Sequence, residues 1–127
     1  MKEKELQMTD IEVQKQFERW NSAIQSGDPK KVTALYDENA ILLPTISNKV
    51  RHNHSEIEDY FTQFLSKGPK GEVDESNPLF GDIAINSGLY QFSFENGEVV
   101  KARFTFVYRR TYDSWKIVEH HSSVMPE

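Results

Sequence analysis

The sequence predicts an α+β domain in which a curved antiparallel sheet wraps around a long N-terminal helix, accompanied by two shorter helices. Three observations predict it. Helical spacing of apolar residues dominates the first half of the chain, and strand-like alternation dominates the second. A strong hairpin signal, Asn96-Gly97, sits between two strand-like runs. The 127 residues suit one domain, residues 1–127, with no linker and no internal repeat.

The elements follow in order. Thr9 and Glu12 have the spacing of a capping box, in which each side chain satisfies a free backbone N–H. Val13, Phe17, Trp20 and Ile24 then recur on one face of a helix that Gly27 ends. Asp28-Pro29 reads as an N-cap and first-turn proline for a short second helix, with Val32, Leu35 and Tyr36 facing inward. Ala40–Leu43 reads as a short buried strand ending at Pro44, and residues 45–53 as a polar, irregular stretch. Ser55 and Glu58 form a second capping box before a helix whose inner face is Ile57, Tyr60, Phe61, Phe64 and Leu65. Gly68 and Pro69 stop it. Residues 80–85, 89–94, 99–110 and 115–124 read as strands, with a turn at Thr111–Ser114.

Composition narrows the function classes. Eight Phe, five Tyr and two Trp supply bulky core material. The absence of cysteine excludes disulfides, thiolate chemistry and cysteine-bound zinc. A net charge of −5 with dispersed basic residues argues against a nucleic-acid partner. No apolar run approaches the roughly 20 residues of a membrane helix. The charged start MKEKELQMTD lacks the apolar core of a signal peptide, so the expected location is cytoplasmic. There is no nucleophile elbow and no glycine-rich phosphate loop. Asp37 and Glu38, at the end of the second helix, read as capping or solvent-facing residues.

Alternation on the long strand separates Ala102, Phe104, Phe106 and Tyr108 from Arg103, Thr105, Val107 and Arg109. One reading buries the aromatic face and leaves Arg103 and Thr105 in solvent. The other packs the aromatics under an interface and turns Arg103 and Thr105 into a polar cavity. On the last strand Val118, His120 and Ser122 share a face by strict alternation, opposite Ile117, Glu119, His121 and Ser123, unless a bulge shifts the pattern. Adjacent His120 and His121 therefore point to opposite sides. His52 and His54 would join His120 in a three-histidine zinc site only if the loop brought them together, and no acidic partner accompanies them.

Three stretches carry a resemblance. They are Ala102–Tyr108, Trp115–Val118, and the terminal His120-His121-Ser122-Ser123-Val124-Met125-Pro126-Glu127. With the first helix, Trp20 and the Ser26-Gly27-Asp28 turn, they resemble the family of the association (hub) domain of calcium/calmodulin-dependent protein kinase II. That resemblance covers nearly the whole chain and implies an NTF2-like cone. Leu42–Arg51 and Asp59-Tyr60-Phe61 followed by Phe64-Leu65 are similar to stretches of iota-class carbonic anhydrases. At positions where the hub pocket carries arginines, this chain has Ser122 and a residue near Thr105, which separates it from the hub branch.

The anhydrase resemblance implies a lyase that interconverts carbon dioxide and bicarbonate without a metal or other cofactor. It implies Thr45, Tyr60, His120 and Ser122 as the catalytic group, with Arg103 and Thr105 as substrate-binding candidates. Hydroxyls would hold the water and the nascent bicarbonate, and His120 would orient them or relay a proton. Two other classes stay open: an oligomeric scaffold like the hub domain, and a small-molecule binder or isomerase. A homodimer is the expected assembly, through an aromatic patch on the exposed sheet face.

Overall fold

The computed structural model describes residues 10–45, 47–79, 81–111 and 114–126. Thr9, Ile46, Phe80, Tyr112, Asp113 and Glu127 lie outside the described residues, so the first capping box and the core of the 111–114 turn are not described. Helix α1 spans Asp10–Gln25, α2 Pro29–Thr33 and α3 His54–Leu65. The strands are β1 Tyr36–Leu43, β2 Lys70–Leu79, β3 Ile83–Ser93, β4 Val99–Thr111 and β5 Ser114–Val124. They form one five-stranded sheet in the order β1-β5-β4-β3-β2. The β2–β3, β3–β4 and β4–β5 pairs are antiparallel, whereas β1 joins the edge parallel to β5.

The apolar stripe of α1 lies on the inner face of the sheet. Trp20 is its centre, with its ring stacked on Tyr90 and edge-on to Phe106 and Phe61. The predicted inner face of α3 is buried in full: Ile57, Tyr60, Phe61, Phe64 and Leu65. Phe64 meets Phe92 and Phe94 edge-on, joining α3 to the end of β3. Burial of these rings supplies the main driving force for closing the helices onto the sheet.

Several boundaries differ from expectation. Tyr36 is the first residue of β1, not the last inward residue of a helix, because α2 ends at Thr33 after one turn. Asp37 is therefore a strand residue, paired with Arg109 at 3.5 Å. The cap of α3 lies two residues earlier than Ser55. Asn53 accepts from Glu56 N, and Glu56 Oε1 accepts from His52 N at 2.7 Å, a variant of the box in which the returning carboxylate reaches the residue before the N-cap. Residues 83–93 form one continuous strand rather than two. β2 escaped the sequence reading because Lys70–Leu79 is polar and largely exposed, an edge strand with little apolar alternation.

Two glycines have definite tasks. Gly68 adopts φ +63 just past α3, where an L side chain is strained. Gly88 lies against the backbone of Glu75, where a Cβ would collide. That close approach accompanies the irregularity between Val73 and Glu75.

Candidate functional site

A bulge on β5 decides which side chains enter the concave face. Val107 pairs with Glu119, but Tyr108 pairs with Ile117, so Val118 is the extra residue. Trp115 and Ile117 point inward before the bulge, and His120 and Ser122 point inward after it. Strict alternation placed Val118 with His120 and put Ile117 opposite; the bulge corrects both assignments.

His120 is 3% exposed and lies flat against Phe106, with ring centroids 4.0 Å apart. Both ring nitrogens are engaged. Tyr36 Oη lies 2.8 Å from Nδ1, and Tyr90 Oη 3.1 Å from Nε2. The chain of contacts continues in both directions. Trp20 Nε1 donates to Tyr36 Oη at 3.1 Å, and Tyr90 Oη donates to Ser122 Oγ at 2.6 Å. Ser122 Oγ and Thr45 Oγ1 are hydrogen-bonded in turn. Six side chains thus form one line from the core to the loop after β1.

That line ends in a small cavity of about 100 Å³, with room for a few water molecules. Thr45, Tyr60, His120 and Ser122 all line it, together with Tyr90 and an apolar wall that includes Leu42, Phe61, Phe64 and Phe92. Lys67 and Glu98 belong to the same lining, and Lys67 Nζ lies 6.0 Å from the Phe94 ring. The Tyr60 hydroxyl has no hydrogen-bond partner among the described residues. Thr45 and Ser122 also border a shallower outer groove with Ser47, Lys49 and His121. They stand between the cavity and the outside.

Burial keeps the imidazole and phenols of this site uncharged at neutral pH. It pushes the His120 imidazole down to about 3, with a smaller contribution from His121. Burial pushes the Tyr60 phenol up to about 12, against the pull of the Arg51 charge. The Tyr90 and Tyr36 phenols are raised further, again chiefly by burial.

Arg103 and Thr105 do not join this group. Phe104 and Phe106 are buried on the inner face of β4, so their neighbours project from the outer face, where Arg103 is exposed and Thr105 pairs with His121. The expectation that Arg103 and Thr105 line the cavity is corrected: the aromatic rings occupy the inside. The three histidines also stay apart. His52 is exposed and bonds Glu56 at 3.1 Å, and His54 Nε2 bonds the Tyr36 carbonyl at 2.7 Å. Among the described residues no three His, Asp or Glu side chains gather at metal-ligand spacing.

Sequence reasoning missed Tyr36, Tyr90 and Trp20 as members of the site, and Arg51 as its support. The first three read as core aromatics. Their signal is general: a buried phenol or indole needs a partner for its polar tip. Arg51 is 8% exposed and bonds the Lys49 and Glu56 carbonyls, Ser47 Oγ and Asp59 Oδ2. Its backbone pairs with Leu42 in both directions, closing the loop that carries Thr45, and its guanidinium lies 5.5 Å from the Tyr60 ring centre.

Residues 9–126 match the family model of the calcium/calmodulin dependent protein kinase II association domain. The chain is 44% identical to a Xanthomonas campestris protein described as such a domain, with a TM-score of 0.87 over 91% of this chain and 87% of that one. An NTF2-like protein of unknown function from Pseudomonas putida is 20% identical, with a TM-score of 0.78 over 90% of this chain and 84% of that one. An NTF2-like superfamily protein from Salmonella enterica is 18% identical, with a TM-score of 0.76 over 91% and 90%. These two share the NTF2-like fold with this chain. No curated protein matches. No helix among the described residues is long and apolar enough to cross a membrane.

Proposed function

The chain belongs to the calcium/calmodulin dependent protein kinase II association-domain family, and from that premise we propose that its cavity hydrates carbon dioxide reversibly, without a metal. One observation carries the reading. Thr45, Tyr60, His120 and Ser122, the four residues implied by the resemblance to iota-class anhydrases, line a single cavity, and two of them are hydrogen-bonded to each other. The fold alone would not support it, because NTF2-like cones host many functions.

Hydration needs a held water, a carbon dioxide beside it and an exit for one proton. The apolar wall suits the neutral gas. The Thr45, Ser122 and Tyr60 hydroxyls orient the water toward the carbon. As the new C–O bond forms, one C=O electron pair moves onto oxygen, where hydroxyl donors stabilise the growing charge. The water's second proton leaves through the Thr45–Ser122 pair toward the outer groove and bulk buffer. His120 keeps these hydroxyls in place.

The test is hydration by purified protein before and after exhaustive chelation, with metal content checked. Activity should survive chelation. Thr45→Ala and Tyr60→Phe should each lower kcat by about a hundredfold, the usual effect of losing a transition-state donor. Full activity in both variants would sink the assignment.

A second reading has the chain act as an assembly module. The family's name favours it, as does the outer sheet face, where Ile41, Ile85, Leu89 and Val107 remain partly exposed. The apolar residues of this face are aliphatic and lie among polar ones such as Arg103 and His121; the aromatic rings expected there lie inside. A homodimer is the proposed assembly, and light scattering on the purified chain decides between dimer, ring and monomer. The two readings are compatible, so a dimer does not exclude turnover.

A further inference from the structure

The line of hydrogen bonds that ends at Thr45 has a direction, fixed at Tyr90 and matched at its far end. An indole N–H can only donate. Trp20 therefore donates to Tyr36 Oη, which frees the Tyr36 proton for His120 Nδ1. At the other side Tyr90 gives its proton to Ser122, so it must accept from His120 Nε2. The Trp20 donation is compatible with, and the Tyr90 donation requires, one neutral tautomer, with the lone pair on Nδ1 and the proton on Nε2.

Counting protons gives the same answer and adds to it. Six groups hold one shareable proton each: the Trp20 indole, the neutral His120 ring, and the hydroxyls of Tyr36, Tyr90, Ser122 and Thr45. Five hydrogen bonds join them. One proton is left over. It cannot stay at the Trp20 end, because Tyr90 donates to Ser122, His120 then donates from Nε2, and Tyr36 must spend its own proton on Nδ1. It therefore lies on Thr45 or Ser122, whichever way their mutual bond runs, and both line the cavity. The Tyr60 hydroxyl supplies a second donor to the same space. The His120 lone pair faces Tyr36, away from the cavity, so the imidazole is not the base toward a bound molecule.

We infer that Tyr36 and Tyr90 are positioning residues that lock His120 as its Nε2–H tautomer, with Trp20 holding Tyr36, and so make the cavity a two-donor receptor for a small planar oxyanion. Lys67 and Glu98 both belong to the lining and carry opposite charges, so the hydroxyl donors rather than net charge set the preference for an anion. This deepens the reading of the cavity given above and rests on it for the natural anion, bicarbonate. The donor count itself is independent of turnover.

The test is heteronuclear NMR of the histidine ring nitrogens in the full chain at pH 7, with His120 identified by His120→Gln. Sodium formate serves as the anion probe and methylammonium chloride as the cation control. The expected spectrum shows His120 as the Nε2–H tautomer. Formate should produce saturable shifts, and methylammonium none. Tyr36→Phe releases the direction of the line, so Nδ1–H signal should appear and formate affinity fall about tenfold, the effect of one lost hydrogen bond. An Nδ1–H tautomer in the parent protein, or methylammonium binding where formate does not, overturns the inference. Should Tyr36→Phe fail to fold, the parent tautomer and the formate–methylammonium contrast still decide it. Formate binding without carbon dioxide hydration would overturn the proposed reaction and leave the donor receptor standing.

Discussion

His120 and His121 are adjacent in sequence and opposite in every physical respect. His120 is buried, stacked on Phe106 and bonded at both nitrogens. His121 projects into solvent beside the outer groove. The two faces of β5 therefore impose different chemistry on one residue type, and the face is set by the backbone. The sharpest test removes each ring in turn. His120→Ala should cost about 3–5 kcal/mol in urea denaturation, because it opens a cavity against Phe106 and strands the Tyr36 and Tyr90 hydroxyls. His121→Ala should stay within about 0.5 kcal/mol. Equal losses would mean that the two environments are not what they look like.

Acid provides a second way to separate the faces. The folded-state pKa of His120, about 3, lies below the ordinary imidazole value of about 6.5. Between those values the unfolded chain binds the proton and the folded chain does not, so stability must fall as pH drops through that window. The contribution is fully present above about pH 6.5 and is lost toward pH 3, and amounts to a few kcal/mol. Stability measured by urea titration from pH 8 to pH 4 should therefore slope downward, and His120→Gln should flatten the slope. A parent curve that is flat across this range would refute the burial effect.

The same contrast explains what was legible in advance. Helical stripes are long and periodic, so Val13 to Ile24 and Ile57 to Leu65 could be placed on faces from spacing alone. Thr45, Tyr60, His120 and Ser122 could be grouped only through resemblance, since no spacing rule connects residues 77 apart such as Thr45 and Ser122. The bulge at Val118 was not legible, because one extra residue carries no composition signal yet inverts the alternation. β2 was not legible either: at an exposed sheet edge, backbone pairing rather than side-chain burial makes the strand. Arg103 and Thr105 were misplaced because a polar cavity made polar strand residues attractive. The actual lining takes its polarity from the tips of buried aromatics and from residues after the bulge.

Two arginines bring the comparison to its smallest expected effects. Arg51 is buried and ties the Thr45 loop to α3, whereas Arg103 stands exposed on the outer face of β4. Asp59, the carboxylate partner of Arg51, is largely exposed, so its ion pair adds little and the carbonyl and hydroxyl bonds carry the tie. Arg51→Ala should cost about 2 kcal/mol in denaturation, as a buried side chain is truncated and the Lys49 and Glu56 carbonyls and Ser47 Oγ lose their donor. It should also lower kcat more than it raises KM, because Thr45 and Tyr60 lose their shared support while the apolar wall stays intact. Arg103→Ala should change both measurements by less than the experimental spread. If Arg103→Ala instead abolished hydration with the fold intact, the outer face would hold chemistry that the inward line from Trp20 to Thr45 does not explain. A loss confined to dilute protein would trace that effect to an interface between copies, since only a contact broken by dilution depends on concentration.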